Sequence, residues 1–173
     1  MSRRPAKSTV EILRKLVSFD TVSRNPNLDL VAWVQDYLSG YGIESTLIQD
    51  ETGKKANLYA TIGDADRSGY MLSGHTDVVP IDGQDWSTDP FELVEKDDRF
   101  FGRGTSDMKS FIAVVLARVP QFVATRLETP IHFAFSYDEE VGCKGVPSLI
   151  DHLKVLPAPP RLCVVGEPTD MKV

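Results

Sequence analysis

Apolar residues recur along this chain in two rhythms, a three-to-four spacing and short unbroken runs, and their order predicts the architecture. Val10, Leu13, Leu16 and Val17 keep helical spacing across residues 9–19, behind Ser8 as N-cap. After a polar loop, Ser23-Arg24-Asn25-Pro26-Asn27, a second helix covers 28–41. Leu30, Val31, Val34, Tyr37 and Leu38 form its stripe, and Gly40 and Gly42 end it. Strands are expected at 43–48, 56–62 and 69–73. A loop rich in Asp, Gly and Pro occupies 80–90, and 91–95 with 99–101 reads as a hairpin around Lys96-Asp97-Asp98. The strongest helix covers 106–124, with Phe111, Ile112, Val115, Leu116 and Val119 inward and Pro120 expected to kink or shorten it. A buried strand at 131–136, a helix at 146–153 and a short strand at 161–165 complete the pattern.

Strands alternating with helices define an α/β protein: a layered α/β/α domain on a mixed, largely parallel sheet. The 173 residues fit one domain with a proper core, without internal repeats or low-complexity stretches. A net charge of −6 argues against nucleic acid as a partner, because phosphate binding calls for a basic surface. No apolar run approaches the roughly 20 residues that cross a bilayer. Residues 1–7, with the twin Arg3-Arg4, are basic but lack the apolar stretch of a signal peptide, so they read as a solvated tail and place the chain in the cytoplasm. Cys143 and Cys163 show neither metal-site nor disulfide spacing and read as buried free thiols.

Four acidic patches then change the picture: Gly74-His75-Thr76-Asp77, residues 102–109, Asp138-Glu139-Glu140 and Gly166-Glu167-Pro168-Thr169. Each follows a strand-like run or leads into a helix, where reactive residues of open α/β sheets gather. His75 offers an imidazole to a metal, with Asp77 placed to fix its tautomer. Taken alone, the pair better fits a surface histidine beside a capping aspartate. Asp107, behind the glycine turn of Gly102 and Gly104, is either a helix cap or a carboxylate bridging two ions roughly 3.5–4 Å apart. Three adjacent anions at 138–140 repel one another unless cations compensate, although such runs are ordinarily solvated loops. One Glu can coordinate while its neighbour moves a proton. Glu167, held extended before Pro168, could complete a metal shell or sit on a surface loop. Acidic and imidazole groups delivered together to sheet ends are what a two-metal hydrolase needs.

These stretches resemble the co-catalytic zinc peptidases and deacylases of the M20 group, over almost the whole chain. The likeness is carried by Ser73-Gly74-His75-Thr76-Asp77-Val78-Val79-Pro80, Asp82-Gly83-Gln84-Asp85-Trp86 with Asp89-Pro90-Phe91, and residues 102–109, 136–145 and 166–169. Within the group it leans towards the acetylornithine deacetylases. Thr105-Ser106 stand where succinyl-diaminopimelate desuccinylases usually have Ala-Ala, and those enzymes lack a segment like residues 141–146.

The resemblance implies a set of roles. His75, Asp107 and Glu167 would hold one divalent ion, zinc first, with cobalt or manganese as alternatives. Asp107 would bridge to a second ion that Glu140 also holds. Glu139 would be the general base and Asp77 the partner of His75, and the Asp107–Met108 bond is often cis in the group. The implied reaction is deacetylation of N2-acetyl-L-ornithine to ornithine and acetate, a step of arginine biosynthesis. Alternatives are a desuccinylase, a dipeptidase or another N-acyl-amino-acid hydrolase, and a non-catalytic metal-binding fragment. Longer members carry a further histidine that completes the second metal site, and a lid domain that supplies homodimer contacts. Residues 1–173 are therefore read as the N-terminal segment of the catalytic domain. Its other histidines, His132 and His152, are assigned to packing or the surface.

Overall fold

The computed structural model describes residues 8–169, so the basic segment 1–7 lies outside the described residues. The first helix, α1 (Thr9–Val17), opens with a reciprocal cap: Glu11 N–H donates to Ser8 Oγ, and the Glu11 carboxylate accepts from the Ser8 N–H. It stops two residues before the expected end, where the Ser18 hydroxyl turns back onto the Lys15 carbonyl. Next come α2 (Leu28–Ser39), β1 (Ser45–Gln49), β2 (Ala56–Ile62) and β3 (Tyr70–His75), so the third strand carries His75 as its own last residue. Ile43 is not in a strand; it is buried in the core after the Gly42 turn.

The hairpin is short, β4 (Val94–Lys96) and β5 (Arg99–Phe101), and its turn residues Asp97 and Asp98 both take left-handed φ, 52° and 56°. The remaining elements are α3 (Lys109–Ala124), β6 (Ile131–Ser136), α4 (Val146–Lys154) and β7 (Leu162–Val165). Pro120 neither ends nor shortens α3, which continues four residues beyond it. Proline removes the N–H that would bond the carbonyl of Leu116, and the Tyr37 hydroxyl takes that place at 3.0 Å.

The main sheet has the order β1-β2-β6-β3-β7. β1 with β2 and β2 with β6 are antiparallel; β6 with β3 and β3 with β7 are parallel. Only β2 therefore runs against the other four. Alternation along β2 and β6 builds the layers. Leu58, Ala60, Phe133 and Phe135 face α1, α2 and α3, whereas Tyr59 and Ala134 face Leu149 of α4. This is the α/β/α layering expected. Among the described residues no helix is long and apolar enough to cross a membrane.

The expectation of buried thiols also fails. Both cysteines are exposed: Cys143 lies on the loop after β6, and Cys163 lies in β7, an edge strand paired on one side only. Thiols are usually buried, but β7 is exposed along its whole length.

Candidate metal centre

Because β3, β6 and β7 run in parallel, their C-terminal ends share one edge of the sheet. His75 pairs with Ser136 there, Asp138-Glu139-Glu140 follow β6, and Glu167 follows β7. Asp107 comes from the other direction, at the turn into α3. That helix packs hard onto the sheet end: a Cβ on Gly166 would stand 2.0 Å from the Phe111 ring, so only glycine fits. The Asp107–Met108 bond is cis, and Met108 Sδ accepts the N–H of His75 at 3.2 Å.

The side chains converge on one atom. His75 Nε2 lies 3.0 Å from Asp107 Oδ1, 3.6 Å from Glu167 Oε1 and 3.7 Å from Glu139 Oε2. Donor atoms of His75, Glu139 and Glu167, and of His75, Asp107 and Glu140, each fall within 4.8 Å of one another. The imidazole is 1% exposed, whereas the three nearby carboxylates are 36–48% exposed and face the opening. The division of ligands between two ions implied by the resemblance does not reappear as such, because His75 belongs to both groups.

Asp77 stands behind the histidine. The ring Nδ1–H donates to the Asp77 carbonyl at 2.9 Å, while the carboxylate Oδ1 is 3.5 Å away. That carboxylate is occupied otherwise. It accepts the Ser23 hydroxyl at 2.6 Å, the Glu139 N–H at 3.0 Å and the Glu140 N–H at 3.3 Å. Burial alone would raise its pKa, but His75, Ser23 and the Glu139 N–H outweigh that and hold it below the ordinary carboxylate value.

The centre as a whole is short of positive charge. Burial disfavours the charged imidazole, yet Asp77 and then Glu167 overcome it and push His75 up to about 9. Burial, followed by repulsion from Asp107, raises Glu140. Glu167 is raised by burial first, and by Asp107 and Glu139. A cation belongs among these anions, and the donor set fits a metal. A tetrahedron with bonds of about 2.0–2.1 Å has edges of about 3.3 Å, within the spread of the observed separations. With Nδ1 committed to a carbonyl, Nε2 is the ring nitrogen that faces the carboxylates and would ligate once deprotonated.

Neither remaining histidine joins the centre. His132 is buried on β6, with Nδ1 2.7 Å from the Tyr59 hydroxyl and 3.0 Å from the Thr61 hydroxyl. His152 packs edge-on against Tyr59. The glycines at 102 and 104 also serve packing: a Cβ on Gly104, at φ 85°, would strike Val78 and the buried stem of Lys109, not a ligand.

Sequence reasoning missed several residues that support the centre. Thr21-Val22-Ser23 runs beside Val78 as a parallel bridge and brings Ser23 to Asp77. Asn27 bonds both N–H and C=O of Ala56 and the Thr76 hydroxyl, tying β2 to the end of β3. Asn57 holds the Tyr137 N–H and the Gly145 carbonyl. The only signals were a polar residue just before an apolar strand for Lys55 and a polar residue inside that strand for Asn57.

Residues 71–173 match the model of peptidase family M20/M25/M40, more than half of the chain. The chain belongs to that family. Acetylornithine deacetylase of Pasteurella multocida is 37% identical over 95% of this chain and 44% of its own length. The acetylornithine deacetylase of Shigella sonnei is 32% identical over 94% and 43%. The chain thus spans less than half the length of the curated relatives it matches. Among solved structures, human carnosine dipeptidase 1 superposes with a TM-score of 0.79 at 24% identity, covering 91% of this chain and 38% of that one. An M20 family metallo-carboxypeptidase from Sulfolobus solfataricus gives 0.79 at 18% identity, over 92% and 37%. These likenesses show the M20 fold. The family is one of metallopeptidases, so divalent-metal binding and the donor set at His75 agree.

Proposed function

We propose that the centre is the two-metal site of an amidohydrolase acting on N-acyl amino acids, with N2-acetyl-L-ornithine as substrate. The observation that carries this reading is the convergence of carboxylates from three separate segments on Nε2 of one buried histidine. The substrate rests on the names of the curated relatives.

His75, Asp107, Glu140 and Glu167 would hold the ions, zinc first and cobalt or manganese as alternatives. The chemistry such ions would supply when bound is polarisation of the scissile carbonyl and a water pKa brought towards about 7. Glu139 Oε2, 3.7 Å from Nε2, would take a proton from the attacking water and return it to the departing nitrogen. Asp77 keeps His75 oriented and, through the amides of Glu139 and Glu140, keeps those two carboxylates in place.

The dipeptidase alternative is favoured by one observation, the carnosine dipeptidase among the structural neighbours. We also propose that the chain is a catalytic-domain segment of a cytoplasmic, homodimeric enzyme, whose second ion site is completed by a histidine outside it. The test compares the zinc-supplied chain, alone and joined to the remainder of the Pasteurella relative, on N2-acetyl-L-ornithine, N-succinyl-diaminopimelate and a dipeptide. Amine release from acetylornithine by the joined protein, lost in Glu139→Ala with zinc retained, is expected. A folded, zinc-loaded joined protein inert towards all three contradicts the hydrolase reading. Robust turnover by the chain alone contradicts the segment reading.

A further inference from the structure

The turn carrying Glu139 and Glu140 is anchored from both sides, and both anchors meet at Ser23. On one side, the Asp77 carboxylate accepts the Glu139 and Glu140 N–H groups together with the Ser23 hydroxyl. On the other, Lys55, the residue before β2, sets its ammonium 2.5 Å from Asp138 Oδ1 and 2.5 Å from the Ser23 carbonyl oxygen. Asp138 immediately precedes the two glutamates and takes a left-handed φ of 55°, a conformation a non-glycine residue holds only when its surroundings fix it.

The Lys55–Asp138 pair is unlike an ordinary surface ion pair. Its side chains are 16% and 13% exposed, against 67% and 73% for Lys154–Asp151. Screening by salt is correspondingly weak. A compact ammonium with three donors can serve a carbonyl and a carboxylate at once. Without it Asp138 would add an uncompensated charge to a turn already crowded by Asp77, Glu139 and Glu140.

We infer that Lys55 is a positioning residue: by locking Asp138 to Ser23 it fixes the Glu139-Glu140 turn against His75, and so sets how well the centre takes an ion. The ion-binding half of this inference rests on the function proposed above; the positioning half does not.

Amide hydrogen exchange in the metal-free chain reads the turn directly. Lys55→Met is expected to speed exchange at Glu139 and Glu140 by roughly 10-fold, as local opening of a tethered turn does, with Ala134 in β6 unchanged. Lys55→Arg is expected to restore protection. In a zinc titration, Lys55→Met should weaken binding roughly 10-fold, the lower end of the effect of residues that orient ligands, and Lys55→Arg should recover most of it. Asp138→Asn removes the same pair with little change of shape. It should give the same shifts and add nothing to Lys55→Met in the double variant. If Lys55→Met does not fold, Asp138→Asn answers the same question. Unchanged exchange at both amides overturns the inference, and so does faster exchange with unchanged zinc affinity. Faster exchange in a chain whose wild type takes up no zinc supports the positioning role and defeats the metal reading instead.

Discussion

The hydroxyl of Tyr37 donates to the carbonyl of Leu116, the acceptor that Pro120 leaves without its helical donor. A side chain of α2 thereby repairs a gap in α3 and lets it run through a proline. Tyr37→Phe should cost roughly 1–3 kcal/mol, the penalty of orphaning a buried acceptor. In a Pro120→Ala background, where residue 120 regains an N–H for that carbonyl, the same substitution should cost less. Urea unfolding of the four proteins checks this, and equal costs in both backgrounds would refute the repair.

Asp77 acts on the glutamates more than on the tautomer of His75. Its carbonyl, not its carboxylate, takes the Nδ1–H, so Asp77→Asn leaves that bond intact. The variant places an amide opposite the Ser23 hydroxyl and two N–H groups that need an acceptor. Zinc affinity should fall roughly 10–100-fold, while nitrogen NMR of the zinc-loaded chain still shows Nδ1 carrying the proton. A changed tautomer would count against this assignment.

Metal uptake should release protons. With a pKa raised to about 9, His75 is protonated at pH 8 in the metal-free chain, and its Nε2 must lose that proton to ligate. Affinity should therefore rise with pH up to about 9, and raised Glu140 and Glu167 add to the trend at lower pH. Calorimetry at pH 8 in buffers of different ionisation enthalpy should report close to one proton released for the ion bound at His75. Release of none would contradict the site.

His132 predicts an acid limb of stability that does not involve the metal centre. Burial holds its pKa below the ordinary 6.5, so the folded chain resists a proton that the unfolded chain accepts. Stability from this group is present above pH 6.5 and is lost as pH falls below it. His132→Gln should show a shallower loss over that range in thermal unfolding, and an identical slope would remove His132 as its origin.

Much of this was legible in the chain. Every helix and strand of the main sheet was expected within a few residues, because apolar spacing alone decides which stretch can bury a face. His75, Asp107, Glu139, Glu140 and Glu167 were named from strand ends and helix starts, and parallel strands deliver such positions to one edge. The supporting residues were not legible. Ser23 lies 54 residues from Asp77 and Lys55 lies 83 from Asp138, and nothing local marks either as a partner. Pro120 misled for the same reason: its compensating donor sits on another helix. Cys163 misled because burial depends on what covers an edge strand, which β7 itself does not encode.

Anomalous diffraction from crystals of the chain grown with zinc would locate the ion among these side chains. A zinc peak is expected about 2.0–2.1 Å from His75 Nε2, shared with carboxylate oxygens drawn from Asp107, Glu140 and Glu167. A peak elsewhere, or none at His75 in a chain whose fold is intact, would contradict the metal centre.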